Sequence, residues 1–240
     1  MDEPKKQHFD YFDILNNLQC ARKTIQQINK QQFNKNTYLC ILKTPKMENL
    51  STLDTELFVY LNSLHADWLD GIMIGITNMW VWFPLYILLI YWVVKQYGKH
   101  CWIVFLALGL VVLCSDQLSA HVCKPLFARL RPCYNTDLQS VIYLPKGLAG
   151  GHYGFVSSHA ANTFAVATFL TAVLRRRYGA IAGILLFLWA IISSYSRIYM
   201  GFHYPGDIVC GAVLGLLVGW LIWLVFNRLE PRLIRTAPER

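Results

Sequence analysis

The sequence predicts an all-α fold: a polytopic membrane helical bundle with five to six transmembrane helices and an N-terminal amphipathic segment. Three observations predict it. Of the 240 residues, 55% are hydrophobic and 15% charged, against about 25% charged in an ordinary soluble domain. Mean hydropathy is +0.35, and the chain carries eight Trp. Several apolar runs approach the ~20 residues that cross a bilayer.

Residues 1–46 are a polar extension rich in Gln, Asn and Lys, with no sustained apolar face and no cleavable signal peptide. Composition changes sharply at Met47, so this stretch reads either as a disordered cytosolic extension or as sequence ahead of the true start. Residues 47–79 form an amphipathic, weakly spanning segment: 53–64 suit the membrane interface, and 67–79 hold Asp67 and Asp70. The core covers 80–226, with spans near 80–94, 101–121, 157–174, 179–196 and 207–226. A long polar segment, 122–156, separates the second from the third, and 227–240 are a basic cytoplasmic tail.

The net charge of +8 would suggest nucleic acid in a soluble protein. Here the basic residues lie between apolar runs, where they set topology, so no nucleic-acid partner is expected. Lys95, Lys99, Arg175, Arg176, Arg177, Arg228, Arg232, Arg235 and Arg240 fall on one side. Lys124, Arg129, Arg131, Lys146 and Arg197 fall on the other. The positive-inside rule places the larger set in the cytoplasm, so 122–156 and 197–206 face outward. Cys101, Cys114 and Cys210 lie inside apolar runs as packing residues. Cys123 and Cys133 flank a short basic segment and would suit a disulfide in an oxidising compartment.

The residues that carry chemistry collect at that outer face. Lys124 and Arg131 are seven apart, two helical turns, and project to one side. Converging cations suit a doubly charged phosphate, which Arg grips bidentately; Pro132 stops any helix directly afterwards. Arg129 reads more simply as a snorkelling residue. Ser157, Ser158 and His159 open an apolar helix, whose N-terminus is an anion site. Ser157 alone would read as an N-cap, but a plain membrane helix gains nothing from His159. His203 and Asp207 are four apart, so the carboxylate can accept the Nδ1–H and leave Nε2 as a nucleophile. Asp116 and His121 stand one to two turns before Lys124 and either tune it or balance its charge.

These residues resemble the three motifs of the type 2 phosphatidic acid phosphatase superfamily over roughly 53–226. The run from Lys124 to Arg131-Pro132 is similar to K-x6-R-P, and Ser157-Ser158-His159 to P-S-G-H. Ser196-Arg197 through His203 to Asp207 is similar to S-R-x5-H-x3-D. Two positions depart from the second motif: Val156 stands for Pro and Ser158 for Gly. The resemblance implies a metal-independent lipid phosphatase without cofactor. His203 would form a phosphohistidine, Asp207 would set its tautomer, and His159 would protonate the leaving oxygen. Lys124, Arg131, Ser157, Ser158 and Arg197 would bind the phosphoryl oxygens.

The implied setting is a bacterial inner membrane with the site facing the periplasm and an envelope lipid phosphate as substrate. Phe155 to Asn162 is similar to the same stretch of lipid A (lipopolysaccharide) phosphatases of anaerobic Gram-negative bacteria. Undecaprenyl diphosphate and phosphatidylglycerol phosphate remain alternatives. So do a lipid phosphotransferase using the same phosphohistidine, and a non-catalytic lipid binder or transporter. Against the last, the polar residues cluster at one face and form no path across the bilayer.

Overall fold

The computed structural model describes residues 50–145 and 151–235. The polar extension, Lys146 and the end of the basic tail lie outside them. Among the described residues the architecture is helical, with one isolated bridge between Leu130 and Tyr153. Helix α1 covers Leu50–Asn62 and α2 Asp67–Thr77. Helix α3 covers Phe83–Tyr97, with Pro84 in its first turn where no N–H is needed. Helix α4, Cys101–Gln117, continues through a π-helical stretch, Leu118–Cys123, into the short α5, Lys124–Phe127. Helix α6 is Ser158–Tyr199 and α7 is Pro205–Arg235.

Helix α1 divides its faces as an interfacial helix should. Phe58 and Asn62 are buried against the bundle, while Leu50, Leu53, Leu57 and Tyr60 are exposed along an adjacent stripe. Asn62 fastens it in place: its amide donates to the carbonyls of Tyr143 (3.0 Å) and Tyr199 (2.9 Å), and its oxygen accepts the Tyr143 N–H (2.7 Å).

Helix α6 reverses direction within its length. Gly179 has φ 61° and ψ −149°, a conformation that glycine reaches without a Cβ penalty. The arms 158–178 and 180–199 then run antiparallel. A Cβ on Gly183 would lie 2.8 Å from Thr171, and His159 meets Ser193 across the same hairpin. Helices α3 and α4 are likewise joined through a turn at Gly98, φ 54°.

Among the described residues three stretches are long and apolar enough to cross a membrane: Met79–Phe127, Arg177–Tyr199 and Pro205–Pro231. The first has 49 residues, over twice what one crossing needs, and the turn at Gly98 divides it. Residues 158–178 are not among the three, because His159, Asn162, Thr163, Thr168 and Thr171 dilute an otherwise apolar arm. The two ends of the bundle differ. Gln96 donates to the Val173 carbonyl (2.7 Å), Arg177 to the Lys95 carbonyl (3.2 Å), and Trp92 stacks on Tyr178. Lys95, Arg175 and Arg177 thus share the end opposite the three motifs.

The tightest packing joins α6 to α7. Gly211, Gly215 and Gly219 recur every four residues along one face of α7. Cβ atoms there would come within 2.6, 2.3 and 2.4 Å of the Ser157, Ala161 and Ala165 carbonyl oxygens of α6. Backbone thus lies on backbone, the small-residue packing by which membrane helices associate. The sequence reading took no account of this stripe.

Because the obstacle at Gly215 is backbone, it cannot swing aside as a side chain would. Gly215→Val is expected to cost about 1–3 kcal/mol of stability, the usual scale of overpacking, and to abolish most activity. Gly109→Ala, where a Cβ meets nothing within 4 Å, is expected to leave both unchanged. Thermal unfolding and turnover in detergent check the pair.

Candidate active site

The close approach of α6 and α7 sets the site. Ser157 caps α6, its Oγ accepting the Ala160 N–H at 3.4 Å, while its own N–H donates to the Asp207 carbonyl at 3.1 Å. The hydroxyl proton remains available to an anion, since capping uses only a lone pair. A second junction aligns the basic loop. Arg131 N–H donates to the His152 carbonyl (3.0 Å) and Gly154 N–H to the Arg129 carbonyl (2.8 Å). This two-bond ladder lays Arg129 and Arg131 against the segment that leads into α6. Ala128, at φ 43°, makes the turn out of α5 that allows it.

The predicted residues come together. Lys124 donates to Ser158 Oγ at 2.8 Å. Arg131, only 7% exposed, donates through Nε to the Tyr153 carbonyl at 3.2 Å. Arg197 donates to Thr77 Oγ1 at 2.8 Å, lies 4.7 Å from the Phe202 ring centre, and keeps a buried Nε without a partner. His159 Nε2 lies 2.7 Å from Ser193 Oγ. His203 and Asp207 are 2% and 0% exposed.

The pair itself is looser than the sequence suggested. His203 Nδ1 stands 3.5 Å from Asp207 Oδ2 and has no hydrogen-bond partner. The carboxylate is engaged elsewhere: Oδ2 accepts the Tyr204 N–H at 3.0 Å and Oδ1 accepts Arg129 Nη1 at 2.8 Å. Asp207 therefore faces the imidazole as a charge, and catalytic contacts commonly tighten only around substrate. Burial pushes the His203 pKa down to about 4; Asp207 opposes this, and Arg131 and Arg197 reinforce it. At neutral pH the imidazole is unprotonated, as a nucleophile must be.

Residues 100–231 match the family model of the PAP2 superfamily. The chain belongs to this superfamily. It is 36% identical over 196 residues to lipid A 4'-phosphatase of Bacteroides thetaiotaomicron, covering 80% of this chain and 85% of that protein. It is 32% identical over 183 residues to lipid A 4'-phosphatase of Porphyromonas gingivalis, covering 75% of each. Among solved structures, LpxE of Aquifex aeolicus aligns with a TM-score of 0.52 at 28% identity, over 71% of this chain and 94% of that one. This PAP2 chain is a multi-pass membrane lipid phosphatase.

One sequence expectation is corrected in this PAP2 site, and one open possibility is not realised. Arg129 does not snorkel: it bridges Asp207 and Asp54, with Nη2 2.7 Å from Asp54 Oδ2, and sits 4.0 Å over the Tyr204 ring. Burial opposes its charge, but Asp207 and Asp54 outweigh that and raise its pKa. Cys123 and Cys133 carry free thiols. Cys133 is held apart, its N–H donating to the Gly201 carbonyl and its side chain packing beside Met73, Tyr199 and Phe202. Asp116 accepts from Asn162 at 3.3 Å. Among the described residues no three His, Cys, Asp or Glu side chains gather as metal ligands.

Sequence reasoning missed Asp54, Thr77, Gly154 and Ser193, which lie outside the motif spacings and meet the site only through the fold. It also missed a cavity of about 680 Å³ between α3, α4 and α6. Leu89, Val93, Phe105, Val112 and Val166 line it, and His159, Asn162 and Thr163 stand at its polar part. An apolar chamber with a few convergent polar groups is the usual form of a ligand pocket.

Gly154 leaves little room beside the His203–Asp207 pair. A Cβ there would meet Arg131 Cγ and Asp207 Oδ2 at 3.1 Å and His203 Nδ1 at 3.5 Å. Gly154→Ala is expected to displace these groups and lower kcat by up to about 10²-fold, the scale of a small misplacement, with little change in Tm. Gly151→Ala, with open space around its Cβ, is expected to behave as the native chain. Steady-state kinetics on the two variants check this.

Proposed function

We propose that this chain removes the 4'-phosphate of lipid A at the periplasmic face of a bacterial inner membrane, through a phosphohistidine on His203. One observation carries the reading: a buried, unprotonated His203 faces the Asp207 carboxylate amid Lys124, Arg131, Arg197, Ser157 and Ser158. The substrate follows from relatives named lipid A 4'-phosphatase that align over three quarters or more of this chain. The outward face follows from the basic residues gathered at the opposite end.

The chemistry divides into two displacements. His203 Nε2 attacks phosphorus and the P–O bond to the sugar breaks; His159, whose pKa burial lowers to about 4, takes up a proton beside the bound phosphate dianion and donates it to the leaving oxygen. Water then attacks the phosphohistidine, the P–N bond breaks, and His159 takes the proton from that water. Lys124, Arg131 and Arg197, with the Ser157 and Ser158 hydroxyls, hold the non-bridging oxygens as charge builds on them. The chamber beside His159 takes an acyl chain of the same lipid, which orients the headgroup toward His203.

His203→Ala is expected to lose turnover on every substrate and to yield no acid-labile phosphoenzyme in quenched reactions. His159→Ala is expected to lose about 10²–10⁴-fold on lipid A, the worth of a general acid, and to regain most of it on p-nitrophenyl phosphate, whose leaving group departs unaided. A His159→Ala chain equally dead on both esters would overturn the assignment. Mass spectrometry of lipid A treated with the native chain identifies the phosphate removed.

The chamber gives a separate expectation. Val112→Trp, at a half-open position on its wall, is expected to raise KM for lipid A and to leave p-nitrophenyl phosphate hydrolysis unchanged. Equal effects on both substrates would remove the acyl chain from the chamber.

A further inference from the structure

Three charges form a chain that ends at the nucleophile. Asp54, on the inner face of α1, accepts the Gly206 N–H at 2.6 Å through Oδ1 and pairs with Arg129 Nη2 at 2.7 Å through Oδ2. Arg129 Nη1 in turn holds Asp207 Oδ1 at 2.8 Å. The other Asp207 oxygen, Oδ2, accepts the Tyr204 N–H and faces His203 Nδ1 at 3.5 Å. Asp54 therefore touches no reacting atom, yet it stands three contacts from the histidine that does.

We propose that Asp54 and Arg129 are positioning residues for the nucleophile. Arg129 holds the Asp207 carboxylate in place, and Asp54 offsets the Arg129 charge so that Asp207 still presents a net negative field to His203. This rests on the reading of His203 as the nucleophile.

The need for an offset follows from charge. When Nε2 bonds to phosphorus, the imidazole keeps its Nδ1–H and becomes cationic, and a buried cation needs an anion beside it. Asp207 is that anion, but a guanidinium directly on its other oxygen cancels much of its field. The remaining charged groups facing His203 are Arg131 and Arg197, both cations, with His159 beyond them. Without Asp54 the charges around the ring would sum to +2 even with Asp207 ionised, and Asp54 brings the sum to +1 before phosphate binds. With Asp54 the carboxylate–guanidinium–carboxylate triad carries a net charge of −1, directed through Asp207 at Nδ1.

Geometry separates this role from that of a strut. An Asn at position 54 keeps a carbonyl oxygen for the Gly206 N–H or for Arg129, so Asp54→Asn removes the charge and preserves the size. A strut would survive that change, and an electrostatic counterweight would not. A Glu restores the charge on a longer arm.

The test uses the full chain in detergent micelles, labelled with ¹⁵N-histidine, with His203→Ala identifying the His203 signals. At pH 7 the ¹⁵N shifts report which ring nitrogen carries the proton. In the native chain the Nδ1–H tautomer is expected to dominate. In Asp54→Asn its share is expected to fall, while kcat on lipid A drops roughly tenfold, the equivalent of about one pKa unit of interaction, with KM and Tm unchanged. Asp54→Glu is expected to return both the tautomer and most of kcat. An Asp54→Asn chain with native tautomer and native kcat overturns the proposal. So does a loss in Asp54→Asn that Asp54→Glu leaves uncorrected, because charge is then not the cause. A native chain that releases no phosphate from lipid A, yet whose His203 tautomer shifts in Asp54→Asn, supports the coupling and counts against the substrate reading alone.

Discussion

The close contact between α6 and α7 is the constraint on which the site depends. In lipid there is no hydrophobic drive to join two apolar helices, so association rests on van der Waals contact and interhelical hydrogen bonds. Gly211, Gly215 and Gly219 remove the side chains that would hold the backbones apart. The same face of α7, one turn earlier, carries Asp207. Helices in contact along the glycine stripe therefore meet at Asp207 and Ser157, where the Ser157 N–H reaches the Asp207 carbonyl. Two motifs nearly fifty positions apart are brought together by the absence of three side chains.

Charge sets the second condition. Lys124, Arg131 and Arg197 crowd a largely buried space. Burial lowers the Arg131 pKa, with Cys133 and Asp207 pulling the other way. Such a cluster is costly to desolvate unless an anion accompanies it. Asp207, Arg129 and Asp54 supply countercharge within the protein itself. On the proposed reading a bound phosphoryl group would supply the rest.

The membrane setting explains the placement of the rest. Helix α1 presents Leu50, Leu53, Leu57 and Tyr60 outward and Asp54 inward, so one helix carries both an exposed apolar stripe and the countercharge. The apolar chamber lies between α3, α4 and α6 and reaches His159. On the proposed reading, headgroup chemistry and chain binding would occupy adjoining parts of one bundle.

The sequence by itself determined the helical membrane class, because hydropathy depends on composition over about twenty neighbouring residues and needs no fold to be read. It also pointed to the candidate site residues, since their spacings are local: Lys124 to Arg131, and His203 to Asp207, each lie within a turn or two of chain. The reversal at Gly179 falls at the boundary between the two runs read on either side of it, of which the second is apolar enough to cross a membrane. The tertiary structure alone decided what those residues touch. Arg129 read as a surface cation because Asp54 lies far away in sequence, on a helix whose packing no spacing predicts. The Asp207 carboxylate read as free for His203 because its competing donors, Arg129 and the Tyr204 N–H, are set by a loop crossing and a helix turn. Gly154 and Ser193 carry no motif, and they matter only because backbone approaches closely at one and a hairpin closes at the other. Local pattern names the candidate groups; contact between distant segments sets their charge, their distance and their freedom.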